Sequence, residues 1–256
     1  MTRRTARSLH WLCMRYLLAS VALPLLTILP AAAGPPYITD DPMPTEEGHY
    51  EIFLFDNGTS TRDGFDGEAG LDFNYGAAPD LQLTAVLPLG YARASDGGSA
   101  ANLGNIELAA KYRILHQEDL GLDVAVFPRL FLPSGSSKVG ERHASLLLPV
   151  WIGRASGDWN AFGGGGCVLN RGGESRDFCL LGAVVTRKVS ETLQLGLELQ
   201  HQSADARGGK SETGIGAGAQ YDLSERFHLL GYLGTGIENR AATDRLNWYM
   251  SLLITL

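Results

Sequence analysis

The side chains best suited to chemistry in this sequence are two closely spaced pairs of histidine and serine. His143 and Ser145 form one pair, and His201 and Ser203 form the other. Residues two positions apart on a β-strand point to the same face, so either histidine could act as a base toward its serine in acyl transfer. Such a site also needs an orienting group, and the sequence has no Gly-x-Ser-x-Gly elbow. We therefore predict no enzyme and no catalytic residue, with a lipid hydrolase as the least favoured alternative.

Cysteine and glycine offer two further kinds of site. Cys167 and Cys179 flank residues 170–176 almost symmetrically, so in a β-hairpin they would face each other and could form a cross-strand disulfide. Two free thiols are the alternative, and no neighbouring histidine completes a zinc site. The glycine runs 163–166 and 214–218 fall within predicted strands and not between a strand and a helix, so they lack the geometry of a phosphate loop. We predict no metal and no cofactor.

The N-terminus indicates export. Four arginines precede an uncharged run from Leu17 to Leu29, and residues 31–33 are all alanine. This pattern is typical of a secretory signal peptide, here residues 1–33, cleaved near Ala33. A membrane anchor is the alternative, but the run is short and contains Pro24. Cleavage lowers the basic residues from 21 to 17 against 28 acidic ones, and the net charge falls from -7 to -11. So acidic a chain is not expected to bind nucleic acid.

The elements that must position these residues are strands. Residues 193–200 alternate strictly between leucine and glutamine, glycine or glutamate, which gives a strand one apolar and one polar face. Residues 34–48 are predicted as an extended periplasmic lead-in, and residues 57–66 and 92–102 as polar loops. Short turns alternate with longer loops along the chain. Twelve strands are predicted, at residues 49–56, 68–75, 81–91, 103–115, 120–132, 144–154, 159–169, 178–189, 193–203, 213–222, 227–238 and 246–256.

The two-faced strands leave two architectures to weigh. In a soluble sandwich the apolar faces would pack together, whereas in a membrane they would face lipid. In lipid every backbone donor and acceptor must be paired inside the protein, so the sheet must close on itself. The signal peptide and strands of about ten residues favour the second solution. We predict that residues 34–256 form an all-β, closed, up-and-down antiparallel transmembrane barrel of about 12 strands in the outer membrane, in contact with its lipid and its assembly machinery.

Alternation also predicts which side chains point into the barrel. Acids and bases are mixed in this set, so they could form a polar constriction that orients a passing solute, or pair with each other in a plugged lumen. The predicted lumen-lining residues are Asp72, Asn74, Gln82, Glu107, Lys111, Arg113, Asp123, Arg129, Gln194, Glu198, Gln200 and Gln220.

Several short motifs resemble a known family. They are Ile38-Thr39-Asp40-Asp41-Pro42, Pro79-Asp80-Leu81-Gln82-Leu83, Phe127-Pro128-Arg129, Gly157-Asp158-Trp159 running into the glycines 163–166, Arg176-Asp177-Phe178, and His201-Gln202. In order and spacing the chain is similar to the outer-membrane transporter-like family named after the MetA pathway of phenol degradation. Arg171, where the family pattern has proline, and the final Leu256, where outer-membrane proteins commonly have an aromatic residue, depart from it.

The resemblance implies an outer-membrane barrel that passes small hydrophobic or aromatic compounds. We therefore expect a passive channel for such solutes. The alternatives are a plugged structural barrel, an adhesive barrel whose loops carry the function, and an outer-membrane lipid hydrolase.

Overall fold

The computed structural model describes residues 36–136, 139, 143–170, 175–239 and 245–256. The Arg171 departure lies outside these residues. Within them the chain is almost entirely strand, with one short helical turn, α1, at Gln117–Leu120. The strands are β1 (Tyr50–Ser60), β2 (Gly64–Ala78), β3 (Leu81–Ala94), β4 (Ser99–Leu103), β5 (Glu107–Leu115), β6 (Asp123–Val126), β7 (Arg129–Phe131), β8 (Ser145–Ser156), β9 (Trp159–Asn170), β10 (Phe178–Lys188), β11 (Leu193–Gln202), β12 (Glu212–Asp222), β13 (Phe227–Gly236) and β14 (Leu246–Thr255).

All described strands pair antiparallel with their neighbours, and the first strand pairs with the last. β1 pairs with β14 from Glu51 opposite Thr255 to Ser60 opposite Leu246, which closes the sheet. β4 and β5 occupy one position in the wall, and β6 and β7 another. The described strands therefore form a closed antiparallel barrel of twelve strands. The predicted fold class is confirmed.

Several predicted boundaries are wrong in the same way. The predicted loop at 57–66 is mostly strand, because β1 continues to Ser60 and β2 begins at Gly64. Likewise the predicted loop at 92–102 shrinks to residues 95–98 between β3 and β4. Where a strand extends beyond the lipid-facing apolar belt, it no longer needs an apolar face. Polar residues can continue the hydrogen-bonded ladder there, and the sequence then shows no apolar–polar alternation.

The turn ahead of β6 is also different from the prediction. The fifth strand was expected to begin at residue 120, but α1 occupies that position and Gly121 follows it with a φ of 79°. Glycine adopts this left-handed conformation without steric cost and commonly ends a helix. Pro128 lies at the break between β6 and β7, where a residue without an N–H interrupts the ladder.

The two faces of the barrel differ sharply. On β11, Leu197 and Leu199 are 63% and 53% exposed, whereas Glu198 between them is 4% exposed. Exposed leucine, isoleucine and phenylalanine recur in this way on the outer face around the barrel. The apolar face of the strands is the outer face of the barrel, as expected for strands that contact lipid. Among the described helical residues there is no helix long and apolar enough to span a membrane.

Candidate functional site

The twelve predicted lumen-lining side chains lie on the face opposite the exposed leucines. Six of them are buried and the other six are half-buried, although the barrel has no solid core of packed helices behind them. The buried six are Asn74, Gln82, Glu107, Lys111, Glu198 and Gln200. The half-buried six are Asp72, Arg113, Asp123, Arg129, Gln194 and Gln220.

One group of inner side chains is an ion pair between β5 and β7. The Nε of Arg129 donates to Oε1 of Glu107 at 2.7 Å, and its second nitrogen donates to Oε2 at 2.8 Å. This two-bond geometry is the strongest form of the arginine–carboxylate interaction. The rings of Phe127 and Phe131 lie 5.4 and 5.8 Å from the guanidinium. Arg129 is therefore charge-paired with a carboxylate of the barrel wall.

A second group surrounds Lys111 on β5. Its Nζ donates to Oδ1 of Asp40 at 3.0 Å and to the carbonyl of Met43 at 3.3 Å, and it lies 3.7 Å from Oδ1 of Asp41. The Phe127 ring is 4.9 Å away. Only 4% of the Lys111 side chain is exposed. A lysine buried this deeply needs such partners, and all three of its hydrogen-bonding and ionic partners belong to the chain ahead of β1.

That stretch, residues 36–48, is the N-terminal segment. The sequence predicts it as a periplasmic lead-in, whereas the structure places it against the inner faces of several strands. The Thr39 N–H donates to Oε1 of Glu198 at 2.7 Å, and the Thr45 N–H donates to Oε1 of Gln82 at 2.9 Å. Both threonines are almost fully buried. Because Gln82 lies on β3 and Glu198 on β11, the segment crosses the lumen from one wall to the other.

Glycine makes room for the far end of the N-terminal segment. A Cβ built at Gly182 would collide with Thr39, and one at Gly196 would collide with Tyr37. The Tyr37 ring also packs edge-on against Tyr232, with 5.8 Å between ring centroids. The glycines on the inner faces of β10 and β11 thus allow the backbone and the tyrosine to approach the wall closely.

Several adjoining cavities lie along the inner face, and two of them contain Glu107. One, of about 300 Å³, lies between the N-terminal segment and β1, β2, β3, β5, β7 and β14. The other, of about 730 Å³, shares Glu107 and Arg129 with the first and extends to Ser145 and Asp205 at the long-loop end. The lining of the smaller cavity includes the aromatic rings of Phe53, Phe55, Phe127 and Tyr249. Together the cavities have the size and mixed lining of small-molecule sites.

A family model matches most of the chain. Residues 56–249 match the family model described as "Putative MetA-pathway of phenol degradation". The chain belongs to this family. The match leaves out the N-terminal segment, so the Ile38–Pro42 motif lies ahead of it. The matched part includes most of the barrel wall, with Arg129 and Lys111.

Solved structures of outer-membrane proteins share the fold of this family member. An outer membrane channel from Pseudomonas putida F1 is 13% identical, with 84% of this chain and 97% of that chain covered and a TM-score of 0.70. The KdgM porin is 11% identical, with 80% and 98% covered and a TM-score of 0.57. The NanC porin is also 11% identical, with 80% and 100% covered and a TM-score of 0.57. No curated protein sequence matches the chain. At these identities the similarity shows the fold.

Two acids on the strands around the smaller cavity are missing from the predicted set. Glu51 on β1 is buried and Glu68 on β2 is half-buried, and both line the smaller cavity. Glu68 has the same even-numbered spacing as Asp72 and Asn74, so the alternation that identified those two residues could also have identified it. Glu51 lies on β1 between two residues of the outer face, so the same alternation predicts that its side chain points inward.

The remaining candidates lie away from the lumen of this family member. Cys167 and Cys179 face each other in the β9–β10 ladder, with 3.9 Å between their Cα atoms, and are joined as a disulfide on the exposed outer face. His201 is also exposed, and its Nδ1 lies 2.8 Å from the Thr213 hydroxyl. The Ser203 hydroxyl accepts the Cys179 N–H at 2.9 Å. Each member of the His201–Ser203 pair thus has a different partner.

The two residues of the other histidine–serine pair lie in different environments. His143 is exposed ahead of β8, whereas Ser145 begins that strand and lines the larger cavity. Neither arrangement brings a base, a nucleophile and an orienting group together in the described residues, which is what acyl transfer requires.

Proposed function

We propose that this protein is an outer-membrane channel that passes small aromatic or hydrophobic compounds. The observation that carries the proposal is the closed barrel with two adjoining cavities on its inner face, bounded by aromatic rings and by polar side chains. An apolar solute can contact the rings while it stays inside a wall whose outer face meets lipid. The family description, which names phenol degradation, and the fold shared with an outer membrane channel support this assignment.

The twelve predicted lumen-lining residues take part in the proposal as the polar side of the path. Arg129 and Glu107 lie where the two cavities adjoin, so we infer that a solute passing from one cavity to the other contacts this pair. Asp72, Asn74 and Gln82 form a connected set of hydrogen bonds on β2 and β3, and β3 pairs with β5.

A second candidate is a closed structural barrel. It is favoured by one observation, the N-terminal segment that crosses the lumen from β3 to β11. An enzyme is not favoured, because the similar structures are channels and porins. We infer in addition that residues 1–33 are removed as a signal peptide, that the outer face contacts outer-membrane lipid, and that the assembly machinery of that membrane inserts the barrel.

Two measurements separate a channel from a closed barrel. The mature chain, residues 34–256, inserted in a planar bilayer should give discrete conductance steps. Cells that lack general porins should take up phenol faster when they make this protein, because their lipopolysaccharide leaflet slows apolar solutes. A barrel that gives no conductance and leaves phenol uptake equal to that of cells carrying an empty vector would refute the channel and favour the structural role.

A further inference from the structure

The smaller cavity has a lining of aromatic rings and acidic side chains. Phe53 and Phe55 of β1 point inward and are 6% and 8% exposed, and the Tyr249 ring of β14 stacks on Phe55 with 6.5 Å between the ring centroids. Aromatic faces of this kind bind a flat ring by stacking or edge contact. A cavity of about 300 Å³ is at the small end of ligand sites, which suits a single ring and its substituent.

The charged side chains of the same lining include more acids than bases. The acidic side chains of the lining are five, and the basic ones are Lys111 and Arg129. The acids are Asp40, Glu51, Glu68, Asp72 and Glu107. The lining therefore presents an excess of carboxylates to any solute that enters.

Both bases are already paired with carboxylates of the protein. Lys111 is held by Asp40, Asp41 and the Met43 carbonyl, and Arg129 is held by both oxygens of Glu107. Within the described residues, by contrast, no ion pair reaches Glu51, Glu68 or Asp72. An entering carboxylate would meet these acids in a lining whose two cations are already paired with other carboxylates, and burying an uncompensated charge is costly. A hydroxyl or ammonium group would instead donate to them.

We propose that this cavity selects aromatic solutes that carry a hydrogen-bond donor and no negative charge, and rejects aromatic carboxylates. The inference rests on the proposed channel function and adds its charge selectivity. The ring lies against Phe53, Phe55 and Tyr249, and its hydroxyl or ammonium group points to Glu51 and Asp72. Because the acids lie in a narrow lumen with low-dielectric walls, their field acts strongly on a solute at that depth.

Benzylamine and benzoate test the selectivity, because they share a ring and differ in the sign of charge. The reversal potential of a planar bilayer between solutions of benzylammonium chloride, and then of sodium benzoate, gives the permeability of each ion. We expect benzylammonium to be about tenfold more permeant than benzoate. Glu51→Gln combined with Asp72→Asn should reduce this ratio by about threefold or more. Glu191→Gln, which changes an exposed turn residue away from the cavity, should leave the ratio as it is.

Binding gives a readout that does not depend on conduction. Isothermal titration of the detergent-solubilised barrel should detect benzylamine and benzyl alcohol but not benzoate, and Glu68→Gln alone provides a milder variant should the double variant fold poorly. Equal permeation or binding of benzoate, or a ratio that the Glu51 and Asp72 changes leave unmoved, would overturn the selectivity. Binding of benzylamine by a barrel that carries no current would instead refute the channel and keep the site.

Discussion

The two sides of the lumen hold the same N-terminal segment by different means. On the side of β1 to β7, charged groups bind it, with Lys111 contacting Asp40 and Asp41. On the side of β10 and β11, glycine lets Thr39 and Tyr37 approach the wall. The charged side sets where the segment lies through ion pairs that a buried charge cannot lose cheaply. The glycine side sets it through shape and through the Thr39 N–H bond to Glu198, without an ion pair to the segment in the described part of the chain. The two sides should therefore respond differently to substitution.

The largest effect is expected on the charged side. Lys111→Met leaves Asp40 and Asp41 without their cation, and breaking a buried pair in this way costs roughly 3 kcal/mol. We expect the N-terminal segment to leave the lumen and the single-channel conductance to rise several-fold. Conductance in planar bilayers and protease cleavage within residues 36–48 measure the two consequences.

Two controls sharpen the Lys111 experiment. Lys210→Met removes an exposed loop lysine and should change neither conductance nor cleavage. Adding Asp40→Asn and Asp41→Asn to Lys111→Met removes the unpaired acids and should restore part of the wild-type behaviour, because replacing a whole buried ionic set costs less than breaking it. An unchanged conductance in Lys111→Met would show that the ion pairs do not hold the segment.

A smaller effect is expected on the glycine side. Gly182→Val places a side chain where Thr39 lies, and overpacking of this kind costs about 2 kcal/mol. The segment should be displaced locally, so the conductance should rise by less than in Lys111→Met. Gly231→Ala is the matched control, since a Cβ there meets open space. An unchanged conductance in Gly182→Val would show that the barrel wall, and not the N-terminal segment, moves to accommodate the valine.

The disulfide on the outer face of β9 and β10 is expected to affect stability but not the lumen. Cys167→Ser combined with Cys179→Ser removes a crosslink that closes a short loop, and such crosslinks contribute about 2 kcal/mol. We expect a thermal unfolding midpoint that is several degrees lower in detergent and an unchanged conductance. Mass spectrometry of the unreduced wild-type chain should show both thiols oxidised. Free thiols in that spectrum would contradict the disulfide.

Local alternation predicts the wall of this barrel but not what lies inside it. The side of β11 that faces lipid follows from leucine at every second position, and the same period places Glu198 and Gln200 inward. The N-terminal segment carries no such period, and its partners are remote, since 159 residues separate Thr39 from Glu198. Only the folded barrel brings these groups together. Likewise the end of β1 and the start of β2 carry one large apolar residue, Phe65, and no alternation, so no sequence pattern marked them as strand.

The smallest effect is expected at the short-turn end, outside the membrane. Asp80 stands in the β2–β3 turn with a φ of 62° and lies 2.7 Å from a guanidinium nitrogen of Arg113 and 2.9 Å from Nε2 of His116. Burial alone would raise the pKa of this carboxyl, but the hydrogen bonds from Arg113 and His116 outweigh burial and hold the pKa below its ordinary value of 3.8. A carboxyl with a lowered pKa stabilises the folded state above its unfolded pKa and loses this contribution as the pH falls through its folded pKa.

The wild-type unfolding midpoint should therefore fall as the pH drops below about 3.8. Asp80→Asn keeps a residue that tolerates the left-handed turn but removes the charge. Its midpoint should be slightly lower at neutral pH and should depend less on pH in the acid range. Circular dichroism melts of both proteins in detergent, from about pH 7 to about pH 3, measure the difference. Parallel acid slopes would place the acid sensitivity in other carboxyls.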